Sequence, residues 1–175
     1  MSSAGQHRDS VTATKARKYL GIYLEDHLAG SMAGLEMAKR AAGSNRDTEL
    51  GLFLDQKLVA EISEDQQTLQ QLMQRLGFAP NQVKQSVAWL GEKLGRLKLN
   101  GEITNYSPLS RLVELEALTL GVRGKLSLWE ALRAVTDNGE YAGVDLDAMI
   151  ERATQQHAQL ERFRHEVAAS IFPRN

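Results

Sequence analysis

The sequence predicts an all-α protein. Four long helices form an up-down bundle, and one shorter helix is a helical crossover between the second and third bundle helices. Three observations lead there. Apolar residues recur at a spacing of about 3.6 through the 175 residues, and no convincing alternating strand interrupts them. Pro80, Pro108 and Pro173 each stand where a helix should start or stop. The periodic segments are long enough, at about 1.5 Å per residue, to reach roughly 40 Å, the length of a bundle helix.

Residues 1–14, MSSAGQHRDSVTAT, lack an apolar core and read as a flexible lead-in to a single domain over 15–172. The first helix runs from about Lys15 to Ala42, with Leu20, Leu24, Leu28, Leu35 and Ala38 on one face and Gly43 placed to end it. The second runs from about Thr48, capped by Asp47, to Leu76. Its stripe is Leu50, Leu54, Leu58, Ile62, Leu69 and Leu72, and Gly77 closes it. The shorter third helix covers about Pro80 to Leu99. Ser107 followed by Pro108 is a helix-start signature, and the fourth helix continues to about Thr136. Asp137-Asn138-Gly139 is a turn. The fifth helix opens at Asp145 and faces Leu146, Met149, Ile150, Ala153, Leu160 and Val167 inward.

Composition narrows the function. The chain is 42% hydrophobic and 25% charged, an ordinary globular balance. With 21 Lys and Arg against 22 Asp and Glu, the formal net charge is −1, so no strong field favours nucleic acid or an anionic membrane. The absence of cysteine removes thiol catalysis, disulfides, zinc-thiolate and iron–sulfur sites together, and fits a cytoplasmic setting. No apolar run approaches the roughly 20 residues of a membrane span, so a soluble protein is expected. Neither a phosphate loop nor a nucleophile elbow nor an internal repeat is present.

Two segments carry a resemblance, YLEDHLAG from Tyr23 to Gly30 and SPLSRLVELEALTLG from Ser107 to Gly121. With the helix pattern over about 16–170, they resemble an uncharacterised bacterial group of the ferritin-like superfamily. That resemblance implies a bundle with one long crossover. In metal-binding members, one glutamate comes from each of two helices and a Glu-x-x-His from each of the others, because residues i and i+3 share a helix face. Here Glu61-x-x leads to Glu64 and Glu161-x-x leads to Arg164, so neither Glu-x-x-His is present.

The inward polar residues expected instead are His27 and Ser31 on the first helix, Glu61 and Asp65 on the second, Glu116 and Arg123 on the fourth, and His157 and Arg164 on the fifth. Counted from a common end, His27, Asp65, Arg123 and His157 lie at about 11–13 residues, Glu61 at about 15, and Glu116 and Arg164 at about 19–20. A guanidinium offers only donors and repels a cation. The expected arrangement is therefore a buried polar layer, with Arg123 paired to Glu61 or Asp65 and Arg164 to Glu116. His27 is expected as a hydrogen-bonded core histidine. A mononuclear iron, manganese or zinc site at His27, Glu61, Asp65 and His157 is the alternative, and a base role for His27 is a third.

Two readings of function follow. One is a structural or interaction protein, in the sense of a stress-related bundle without the di-iron centre or any cofactor. The other is a metal-binding oxidoreductase with altered ligands. Gly30-x-x-x-Gly34 reads as a close helix approach, with a groove or dimer contact as the functional alternative. WLGEKLGRLKLNG, Trp89 to Gly101, reads as a solvated basic face. Leu118, Val122, Leu126 and Trp129 lie off the fourth helix's first stripe, a second apolar face that suits the crossover or a homodimer contact.

Overall fold

The computed structural model describes residues 3–78 and 106–173, with side chains from Thr12 onward. Among them the chain is helical almost throughout. α1 spans Ser3–Ser44. α2 (Glu49–Phe53), a π-helical turn (Leu54–Leu58) and α3 (Val59–Arg75) join into one rod, with Val59 N–H bonding the Leu54 carbonyl five residues back. α4 spans Pro108–Arg133 and α5 spans Leu146–Ile171. The expected helix over Pro80–Leu99, and the basic segment Trp89–Gly101 with it, lie outside the described residues.

Several boundaries differ from the sequence reading for local reasons. α1 begins at Ser3 rather than near Lys15; no proline interrupts residues 3–14, and residues 12–19 are exposed. It also runs through Gly43, because Asn45 takes over the terminus by donating from Nδ2 to the Ala41 carbonyl at 2.7 Å. The second rod is capped by Thr48 instead of Asp47, its Oγ1 accepting from Gly51 N–H at 3.1 Å. Gly77, at φ +72°, closes α3: Gly77 N–H reaches Gln74 and Phe78 N–H reaches Met73.

A two-residue antiparallel hairpin, β1 (Glu140–Tyr141) with β2 (Val144–Asp145), joins α4 to α5. It is too short for an alternating pattern to reveal. Ala142 and Gly143 both have positive φ, as its tight turn requires. Arg75 Nη1 donates to both their carbonyls at 3.0 and 2.9 Å, fastening the hairpin to the end of α3.

The core forms two apolar clusters, one toward each end. One holds Leu24 and Leu28 of α1, Leu72 and Met73 of α3, Leu132 of α4, and Leu146 and Met149 of α5. The other holds Ala41 and Ala42, Leu50 and Leu54, Leu115, and Leu160 and Phe163. α1 and α5 therefore run one way, and α3 and α4 run the other. Leu118, Val122, Leu126 and Trp129 all belong to these clusters, which corrects the reading of them as a second face. No helix of the described residues is long and apolar enough to cross a membrane.

Two glycines near the α1–α2 turn separate backbone need from packing need. A Cβ at Gly51 would lie 1.8 Å from the Asn45 carbonyl oxygen, whereas one at Gly43 would meet nothing within 4 Å. Gly51→Ala is expected to lose about 1–3 kcal/mol in urea denaturation, as overpacking does. Gly43→Ala should gain about 0.5–1 kcal/mol, because it changes only helix propensity.

Candidate functional site

Three helices each carry one polar residue in an otherwise apolar stripe. α3 reads Leu58, Ile62, Asp65, Leu69, Leu72; α4 reads Leu118, Val122, Lys125, Trp129, Leu132; α5 reads Met149, Ala153, Gln156, Leu160, Phe163. Each polar residue replaces an apolar one at the 3–4 spacing that faces the core. They meet between the two apolar clusters.

Asp65 is the centre. It is only 4% exposed, and each carboxylate oxygen has a cationic partner. Lys125 Nζ donates to Oδ2, and Arg152 Nη1 donates to Oδ1 at 3.0 Å. Lys125 also donates to Gln156 Oε1, and Gln156 Nε2 donates to Glu61 Oε2 at 2.8 Å. Arg152 reaches outward to Glu64 at 3.1 Å. Gln156 is fully buried with both ends of its amide engaged. Burial pushes the Lys125 ammonium below the ordinary lysine value, and Asp65 pulls in the opposite direction.

This layer is not the one the sequence reading assembled. Asp65 and Glu61 belong to it as expected. Arg123 does not pair with either: its side chain is 52% exposed and bonds Glu130 at 3.3 Å. The reason is helix phase. Residues 116 and 123 share a face that lies off the Leu115–Leu118–Val122–Trp129 stripe, so Glu116 is exposed as well. Lys125, on that stripe, takes the inward place. Arg164 is half-buried and bonds Glu161 twice, at 2.9 and 2.8 Å, rather than Glu116. The Glu161 bond holds Arg164 above and Glu161 below their ordinary values, with Glu116 only a weaker neighbour of Arg164. Lys125, Arg152 and Gln156 were missed. The lone polar residue in each apolar stripe was the available signal for Lys125 and Gln156; Arg152 had none.

The histidines lie apart from the ion pairs. His27 is half-buried on α1, its ring edge-on to Tyr23 with centroids 4.6 Å apart. It has no hydrogen-bond partner among the described residues, which corrects the expected hydrogen-bonded core histidine. Burial lowers its pKa, and Asp26 only partly opposes this. His157, on the flank of α5, sits close enough to Glu161 to favour its charged form, and no contact joins it to Asp65 or His27 among the described residues. No group of three or more His, Asp or Glu placed to hold a metal ion occurs among the described residues.

Beside the ion pairs lies a groove of about 300 Å³ between α1, α3 and α4, and His27, Asp65 and Lys125 all contribute to its wall. Gly30 and Gly34 line it too, and a Cβ on either would meet nothing within 4 Å. They are not sites of close helix approach; the groove reading of Gly-x-x-x-Gly fits this geometry. Compared with known proteins, the chain matches no family model, and no curated protein or solved structure is significantly similar.

His27 gives a pH prediction with a definite sign. Its folded pKa lies below the unfolded value of 6.5, so the unfolded chain binds the proton first as pH falls. The contribution of His27 to stability is present above that value and is lost as pH drops toward the lowered folded pKa. Urea midpoints measured across this window should fall on acidification, and His27→Gln should flatten that slope.

Proposed function

We propose that the chain is a ferritin-like bundle in which a buried ion-pair layer stands where the metal-binding members hold two metals, and that it acts as a structural or interaction protein rather than an enzyme. The observation that carries this reading is Asp65: both of its oxygens are taken by cations, Lys125 and Arg152. An ammonium and a guanidinium at a carboxylate replace the charge a metal would supply and repel an incoming cation. Glu61 has one oxygen committed to Gln156, and neither histidine joins the layer. The donor set therefore does not fit a di-metal centre. The parallel run of α3 and α4 supports the ferritin-like reading, since one long connection between two helical hairpins produces it.

The experiment is elemental analysis of protein purified without a histidine tag or chelator. No stoichiometric iron, manganese or zinc is expected, and Fe(II), Mn(II) or Zn(II) should leave the thermal midpoint unchanged. One or two equivalents of metal, lost on Asp65→Ala and on His27→Ala, would overturn this in favour of a metal-binding oxidoreductase centred on His27, Glu61, Asp65 and His157.

A further inference from the structure

Gly30 and Gly34 on α1 face Gly121 and Gly124 on α4 across the groove. A glycine inside a helix weakens it relative to alanine, and close packing is the usual reason for one. Here nothing lies within 4 Å of the position a Cβ would occupy at any of the four. Their effect is to hold space open, at a cost in helix stability.

A second, independent observation gives that space a polar requirement. Trp129 lines the same groove and is 1% exposed, and its indole Nε1 is buried with no acceptor among the described residues. A buried indole N–H normally finds an acceptor. Lys125, one turn earlier on α4, uses two ammonium N–H groups on Asp65 and Gln156, and an ammonium carries three. The remaining wall is largely apolar, with Met37, Ile62, Leu69 and Leu128 prominent.

We propose that this groove binds a small apolar molecule headed by an acceptor oxygen, a carbonyl or a carboxylate. The oxygen accepts from Trp129 Nε1–H, with the third Lys125 N–H as a second donor, and the apolar tail lies along the glycine-lined walls. A cationic head has no acceptor to offer and meets the Lys125 charge. The groove stands on its own geometry, so a metal found or not found at Asp65 leaves it a separate question.

The test follows the indole N–H signals in a ¹H–¹⁵N spectrum. The chain has two tryptophans, and Trp89→Phe assigns Trp129. Methyl hexyl ketone and octanoate serve as probes, with octylammonium as the control. A saturable downfield shift of the Trp129 indole proton is expected with the ketone or octanoate, and no shift with octylammonium. Gly34→Leu, placed where no atom would be displaced, should keep the thermal transition and weaken the probe by about tenfold or more. Gly34→Ala, a smaller filling, guards against a variant that fails to fold. A Trp129 signal indifferent to both probes, the result if another segment or a second copy already fills the groove, overturns the proposal. So does an equal response to octylammonium, or undiminished binding in a folded Gly34→Leu protein.

Discussion

A carboxylate taken out of water must be compensated, and in this protein that requirement falls on Asp65. The solution is local and nearly complete: one oxygen to Lys125, the other to Arg152, and Gln156 bridging Lys125 to Glu61. The partners come from three helices, so the compensation is also a crosslink. Side chains of α3 and α5 are joined through it, with α4 supplying the ammonium between them. Removing one partner leaves an uncompensated buried charge, a loss of about 3–5 kcal/mol in comparable buried pairs. The layer therefore specifies which helices meet and at what height.

The rest of the core is arranged around that layer. Apolar side chains form one cluster toward each end, and Asp65, Lys125 and Gln156 fall between the two in their own helices. α1 does not join the ion pairs. At this height it presents Ser31, which donates to its own Leu28 carbonyl, together with Gly30 and Gly34. Small residues opposite a charged layer leave an opening instead of a fourth polar partner. The groove and the ion pairs are thus two consequences of one arrangement: α1 is left without long side chains where the other three helices meet through theirs.

Much of the fold was legible because helices leave a strong periodic trace. The stripes on α1, α3 and α5 placed most of the core, and Ser107, Gly77 and Asp145 marked the ends they occupy. The β1–β2 hairpin was not legible, since two residues per strand cannot show alternation. Asp65 was readable as an acid in an apolar stripe. Its partner was not found, because α4 is apolar over a wide arc and the phase was set on Glu116 and Arg123 rather than on Leu115, Leu118, Val122 and Trp129. With the phase corrected, Asp65, Lys125 and Gln156 lie at nearly one height, each about eleven residues from the shared end marked by Leu76, Thr136 and Asp145. Arg152 was beyond reach, because a half-exposed arginine on a helix flank looks like any solvated charge. The groove was hinted at by Gly-x-x-x-Gly, a motif that elsewhere marks close approach and is read only from the space around it.

The central claim is that the Asp65–Lys125 pair is a coupled unit inside the bundle, and a double-mutant cycle in urea denaturation tests it most directly. Asp65→Ala alone should cost about 3–5 kcal/mol, because it strands Lys125 and Arg152. Asp65→Ala with Lys125→Met should cost less than the two single losses combined, by about 1–3 kcal/mol, as for residues in direct contact. Additive losses, or an Asp65→Ala protein as stable as the parent, would contradict the account and show that the layer does not hold these helices together.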